Sequence, residues 1–532
     1  MPNILKRRDF LGMMSGALAG TAMLGSESNA LSGEPMPADI TIAGAKSTSD
    51  ELDFVSALSA AEAIRRKRVS SVELTQHTFD RIERYNPQLN AFVYQLREDA
   101  LVRAQKADQA LTQGENSGPF HGVPIHVKEC FGVAGHPCTW GFESLRDSKA
   151  AQNSEAVERL LRAGAILISA TNVPVNLSDW QTYNPIYGTT NNPWDVKRTP
   201  GGSSGGSAAA LAAGLGYLSI GSDIGGSIRI PAHFCGVYGH KPTLDLVSTQ
   251  GMSPGGNYGT PGFSTLLAVA GPMARTPSDL LAAMKVLGGP VAWDKKAWIW
   301  GMPAPRATTL KDFRIGYVID DPIAPPTPEV KARLEYVIRT LEGAGAKLKS
   351  GWPAEFNPAA LLDTYRFHLY AFLFSISPPE EQHLQRVKFA SSQDPDARGA
   401  LSSFADWQQQ NFRRLAFRAQ WQSHFEQVDV FLSPVGFSAA FPHDHTEPQE
   451  QRTIATSAGP RRYLDLFNWI APATLTGCPA TVAPIGRTDR GLPVGIQIMG
   501  PYWEDATPIT FAELLSREIG GFTVPPGFEG AS

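Results

Sequence analysis

Lys128, Ser203 and Ser227 stand in three glycine-bearing stretches, Gly122-Val-Pro-Ile-His-Val-Lys128, Gly201-Gly-Ser-Ser-Gly-Gly206 and Ser222-Asp-Ile-Gly-Gly-Ser-Ile-Arg229. A serine hydroxyl becomes a strong nucleophile only when a base removes its proton, and a lysine is that base only when held neutral. A solvated ammonium titrates near 10.4, so at pH 7 about one lysine in 2,500 is neutral, a deficit of about 4.6 kcal/mol. The apolar Val123, Pro124, Ile125 and Val127 ahead of Lys128 predict a strand that carries the amine into a low-dielectric site, where burial favours the neutral form. The chemistry this combination supports is acyl transfer.

Ser227 is the expected nucleophile. Gly225 and Gly226 before it leave room for the backbone N–H groups of Ile224, Gly225, Gly226 and Ser227 to point at one developing oxyanion. Losing one such donor typically costs about 10²- to 10³-fold in rate. Ser203, between two glycine pairs, sits where the main chain approaches a ligand closely and is placed to pass a proton from Ser227 to Lys128. Asp223 and Arg229 flank the Ser227 turn with opposite charges and are expected to support its shape, a surface ion pair being the alternative.

These blocks, in this order and spacing, resemble the amidase signature family, serine hydrolases that use Ser-Ser-Lys in place of Ser-His-Asp. The resemblance runs on through Cys235-Gly236, His240-Lys-Pro-Thr243, Gly271-Pro-Met-Ala-Arg275, Gly477-Cys-Pro-Ala480 and Gly491-Leu-Pro-Val-Gly-Ile-Gln497, and is weakest over residues 300–460. It implies an αβα sandwich with a central mixed sheet, a general base at Lys128, an acyl-enzyme on Ser227, a relay at Ser203, a cis peptide at Gly202-Ser203 that makes Gly202 a supporting residue, and no cofactor or metal. Lys128-Glu-Cys-Phe131 departs from the family's common Lys-Asp. With Gly135-His136, Thr171-Asn-Val-Pro174, Asn184-Pro185 and Asn192-Pro-Trp194, it looks more like the fatty acid amide hydrolase branch, which implies a small-molecule amide with an apolar or aryl acyl group. A glutaminase-like component of an amidotransferase, and an esterase or carbamate hydrolase on the same scaffold, are the alternatives; a homodimer is compatible with either.

The chain has 532 residues, 42% of them hydrophobic, which is enough for a large core. A net charge of −4 and the lack of a basic stripe with interleaved aromatics argue against nucleic-acid binding. Residues 51–525 are expected to form one domain, with a catalytic core at 121–277 and a variable substrate-pocket region at 300–460. In that region Tyr365, Phe367, Tyr370, Phe372 and Phe374, then Trp407, Phe412, Phe417 and Trp421, supply either core packing or an apolar pocket. At the start of the chain, Lys6-Arg-Arg-Asp-Phe-Leu11, the apolar Met13 to Leu24 and Ser28-Asn29-Ala30 resemble a twin-arginine export signal over residues 1–30, implying a periplasmic or secreted protein. Residues 31–50 are expected to be irregular. No later segment reads as transmembrane, and Cys130, Cys138, Cys235 and Cys478 are expected to be free thiols.

Short apolar runs bounded by Gly, Pro or Asp predict strands at Ala165–Ala170, Arg314–Ile319, Val428–Leu432, Ala480–Ile485 and Val494–Met499, with an alanine-rich helix over Ser207–Ala213. Capping boxes are predicted at Ser59-Ala-Ala-Glu62 and Ser70-Ser-Val-Glu73. Two competing chemistries are weaker. Gly201-Gly-Ser-Ser-Gly205 fits a nucleophile elbow, but Asn191–Pro200 before it has two prolines and no strand alternation. His443, His445 and Glu447 are a conceivable metal set within an otherwise polar, proline-bearing loop.

Overall fold

Apolar strands alternating with helices are resolved, in a computed structural model that describes residues 49–256, 266–377 and 379–529, into one mixed sheet of eleven strands flanked by helices. The expected export signal at 1–30, and nearly all of the irregular segment at 31–50, lie outside the described residues. In chain order the sheet strands are β1 (Phe92–Gln95), β2 (Pro124–Lys128), β3 (Ile166–Thr171), β4 (Leu218–Asp223), β5 (Tyr238–Lys241), β6 (Val269–Ala274), β7 (Arg314–Tyr317), β8 (Lys347–Ser350), β9 (Val430–Pro434), β10 (Ala480–Arg487) and β11 (Pro493–Met499). Their spatial order is β1-β3-β2-β4-β6-β5-β10-β11-β9-β7-β8. β2 pairs parallel with both β3 and β4, and β7 pairs parallel with β8 and β9; the other pairings are antiparallel. All five predicted strands are present, with ends displaced by one or two residues as the sheet partners set them.

The region that matters for chemistry is the middle of the sheet. Every residue of β2 and β4 is buried, as expected of strands covered on both faces. The register pairs His126 with Ser219 and Val127 with Ile220, so Lys128 and Ser222 reach the same carboxyl edge of two adjacent parallel strands. That edge is where open α/β sheets hold their ligands. The alanine-rich helix Gly205–Ala212 is buried along its whole length and starts two residues after Ser203, so the Gly-Ser loop is a packed turn rather than a linker.

Helix starts illustrate where local signals suffice. The Ser70 box forms as predicted: Ser70 Oγ accepts from Glu73 N at 3.0 Å and Glu73 Oε2 accepts from Ser70 N at 2.8 Å. The Ser59 box does not form. That helix, Ala57–Arg65, begins earlier, capped by Ser56, and its first N–H groups (Ala57 and Leu58) donate to the Asp279 carboxylate at 2.9 and 3.0 Å. An acidic group 222 positions away supplies what the local box would have supplied, a tertiary partner that no short sequence window contains. All four cysteines are buried and unpaired. No helix among the described residues is long and apolar enough to cross a membrane.

Candidate active site

Lys128 lies at the end of β2 with no solvent exposure. Its Nζ is 2.7 Å from Ser203 Oγ and 2.8 Å from Ser222 Oγ. Burial lowers its pKa to about 8, against the smaller opposing pull of Cys130, Asp223 and Glu129, so roughly a tenth of the molecules hold the neutral amine at pH 7. The Gly202–Ser203 peptide bond is cis. At Gly202 a Cβ would stand 2.4 Å from the carbonyl oxygen of Asp179, so only glycine fits. Ser203, Ser222 and Ser227 all line one cavity of about 1180 Å³.

Ser227 sits on the turn between β4 and the helix Arg229–Cys235. Its main-chain carbonyl accepts from Ser204 N at 3.1 Å, which ties the two serine blocks together. The turn is shaped by Asp223. One carboxylate oxygen accepts from Gly226 N (2.9 Å) and Arg229 Nη2 (2.8 Å), the other from Ile228 N (3.1 Å) and Arg229 Nε (3.0 Å). Gly226 has φ near +90°, a conformation that side chains disfavour. Two further donors hold the turn's carbonyls: Tyr365 Oη donates to Ile224 O at 2.9 Å and Trp180 Nε1 to Gly225 O at 2.7 Å. The expected set of four oxyanion donors therefore needs a correction. Gly226 N–H is already occupied by Asp223, whereas the N–H groups of Ile224, Gly225 and Ser227 carry no hydrogen bond among the described residues.

The Asp223–Arg229 pair is not on the surface. Both side chains are fully buried, and Arg229 also donates to Ile470 O, Gln497 Oε1 and Thr474 Oγ1. Burial alone would raise the Asp223 carboxyl, but the Arg229 charge and its hydrogen bonds bring it down to about 2. A buried pair with every donor satisfied fixes geometry more than it adds stability.

Two contributors were not singled out in the sequence. Ser222 is the second hydroxyl on the lysine, five residues before Ser227 in the same block. Glu129, buried beside Lys128, accepts from Thr139 N (2.5 Å), Thr139 Oγ1 (2.7 Å) and Trp140 N (2.9 Å). It thus fastens the end of β2 to Trp140, a wall residue of the cavity. Burial raises the Glu129 carboxyl to about 7 despite those hydrogen bonds. Of the middle-region aromatics, Tyr370 and Phe372 line the cavity, whereas Tyr365, Phe367 and Trp421 are buried in the core and Phe412 is exposed.

The competing constellations do not assemble. His443 contacts Asn191 Oδ1 at 3.2 Å, His445 stacks on Tyr183, and Glu447 accepts from Tyr183 and Arg452. Among the described residues no three His, Cys, Asp or Glu side chains converge as a metal site would require. Ser203 has a lysine as its partner, and no strand precedes it, so the nucleophile elbow is set aside.

The amidase family profile matches residues 73–508. The chain belongs to that family. It is 33% identical to a glutamyl-tRNA(Gln) amidotransferase subunit from Salinispora tropica, over 89% of this chain and 99% of that protein. It is 29% identical to fatty-acid amide hydrolase 2-B of Danio rerio, over 88% and 90%. Among solved structures it is similar to a bacterial aryl acylamidase of the amidase signature family (TM-score 0.74, 24% identity, 90% and 99% covered), a likeness of fold. The amidase signature family acts on carboxamide C–N bonds.

In this amidase, Glu129→Gln removes one carboxylate oxygen that buried N–H and O–H donors need, and it deletes a negative charge that favours the ammonium of Lys128. The lost hydrogen bond costs about 1–3 kcal/mol, and relief of a carboxylate that burial disfavours offsets it, so little net change in stability is expected at neutral pH. The rising limb of any pH–rate profile is expected to move to lower pH, since the Lys128 amine is then easier to deprotonate. Urea denaturation together with pH–rate measurements checks both effects; an upward move of the limb contradicts the assignment.

Proposed function

We propose that this amidase hydrolyses a small-molecule amide through an acyl-Ser227 intermediate. Neutral Lys128 takes the Ser203 proton while Ser203 takes that of Ser227, and Ser227 Oγ attacks the carbonyl carbon. The N–H groups of Ile224, Gly225 and Ser227 receive the oxyanion. When the C–N bond breaks, the proton held by Lys128 returns through Ser203 to the departing amine. Water then attacks the acyl carbon and passes its proton along the same route to Lys128; the bond from the acyl carbon to Ser227 Oγ breaks, Oγ takes that proton back through Ser203, and the acid leaves and ionises in solution. The observation that carries this reading is the buried Lys128 Nζ, 2.7 Å from the Oγ of Ser203, which lines the same cavity as Ser227.

The apolar cavity wall made by Leu369, Tyr370, Phe372 and Leu373 supports an apolar or aryl acyl group. Esters and carbamates enter the same scheme, since a site that expels an amine also expels an alcohol. The similarity to amidotransferase subunits favours a second reading, a glutaminase-like component of an assembly. Release of the protein by twin-arginine export, which rests on residues 6–30, stands against that reading, and a homodimer is the assembly it leaves open.

The test is amine release from aryl and aliphatic amides between pH 6 and about pH 10, together with labelling by a covalent serine probe. The expected results are a rate that rises with pH to a plateau, with its midpoint near the Lys128 value of about 8, and labelling that disappears in Ser227→Ala. Labelling that persists in Ser227→Ala would contradict the nucleophile assignment. Activity only within a fixed heteromer would select the second reading.

A further inference from the structure

The cavity walls carry charge of one sign. Among the described residues that line it, seven are acidic and none is lysine or arginine. The two buried acids are neutralised: Asp223 by Arg229, and Asp179 by Arg452 at 2.6 Å. The other five are exposed or half-buried and so stand where the cavity meets solvent. Of these, Glu447 shares Arg452, and Glu450 has Lys388 at 3.3 Å in an exposed pair. Asp245, Asp294 and Glu381 form no ion pair among the described residues, although Asp245 feels Arg414 at longer range. Lys295 and Lys296 follow Asp294 in the chain but are exposed and do not line the cavity. Trp298, 42% exposed, also lines the cavity, and its main-chain N–H donates to Asp294 O at 3.1 Å.

An apolar interior with uncompensated carboxylates and the partly exposed Trp298 among its lining residues discriminates by charge. Carboxylates raise the local concentration of cations and repel anions, and an indole or phenol face adds an attraction for a cationic head group. A carboxylate entering the cavity would meet no cationic partner among the lining residues and would lose its hydration without replacement. We propose that the amide taken by this site joins an apolar or aryl body to a positively charged group, and that carboxylate-bearing amides, glutamine among them, are discriminated against. This rests on the amidase reading above, and it names the substrate class.

The test uses three compounds on one aryl-amide scaffold, differing only in a trimethylammonium, a tert-butyl or a carboxylate substituent; the first two have the same shape. Binding to Ser227→Ala is measured by calorimetry at low and high salt. The expected order is cation, then neutral, then anion, with at least about tenfold between the extremes at low salt and a smaller gap at high salt. Asp294→Asn combined with Glu381→Gln is expected to narrow the cation-to-neutral ratio. Equal or tighter binding of the carboxylate, a ratio unmoved by the double substitution, or binding of none of the three would overturn the proposal. Hydrolysis by the unsubstituted chain separates the two levels. Charge-ordered binding with no turnover would leave the selection in place and remove the amide-hydrolysis reading.

Discussion

Lys128→Met is expected to abolish catalysis and, at pH 7, to yield a more stable protein. Burial shifts the lysine from 10.5 to about 8, so at neutral pH the folded chain holds an ammonium in a site that disfavours it, at a cost of about 3 kcal/mol. The folded state binds fewer protons than the unfolded state between pH 8 and 10.5. Stability therefore rises with pH across that window, and below pH 8 the full penalty applies. Methionine has similar length, carries no charge and fills the same space. Against this gain, Ser203 and Ser222 each lose a donor, together costing about 1–2 kcal/mol. The net gain is about 1–2 kcal/mol at pH 7, and it is expected to vanish by about pH 10. kcat/KM should fall at least about 10³-fold, because among the described residues proton removal from Ser227 has no other buried base in contact with Ser203. Urea denaturation at the two pH values and amide turnover measure both halves. Retained turnover, or a clear loss of stability at pH 7, would contradict the view that this lysine is held for chemistry.

Strands are legible wherever apolar runs are bounded by turn residues, and the three chemical blocks are legible because glycine and serine are concentrated there. What the blocks build together depends on register. Ser222 reaches the lysine only because β2 and β4 lie parallel with Val127 opposite Ile220, a pairing between segments nearly a hundred residues apart. Glu129 reads in the sequence as a minor departure beside the lysine, and its partners Thr139 and Trp140 come from a turn with no periodic signal. The oxyanion set is overcounted by one, since sequence does not show which N–H a neighbouring carboxylate will take. Helical face alone does not sort the aromatics. In the helix Pro358–Ile376, Tyr365 and Phe367 project from nearly opposite sides and are both buried, while Tyr370 and Phe372, further along, reach the cavity, so position along the helix divides the run. The sign of the cavity's charge is not legible, because its acidic residues come from several separate chain segments.

Asp223→Asn carries the other large effect. The substitution leaves Arg229 charged and fully buried with its main counter-charge gone, and an uncompensated buried charge typically costs about 3–5 kcal/mol. The amide can accept through only one atom, so the N–H groups of Gly226 and Ile228, now divided between two carboxylate oxygens, compete for a single acceptor. The turn that carries Ser227 then loses the bond that fixes Gly226, and with it the alignment of the neighbouring N–H donors. A loss of activity beyond the loss of folded protein is therefore expected. The acid limb follows by the same reasoning. The carboxyl is held at about 2, below its ordinary 3.8, so its contribution is fully present above pH 3.8 and is lost as pH falls through about 2. Asp223→Asn should lack that limb. Denaturant titrations of both proteins from pH 7 downward test this. A loss under about 1 kcal/mol at pH 7 would mean that the pair is incidental to the fold. Partial recovery in Asp223→Leu with Arg229→Met, with no recovery of turnover, would show that the ion pair serves the geometry of the Ser227 turn rather than the stability of the core.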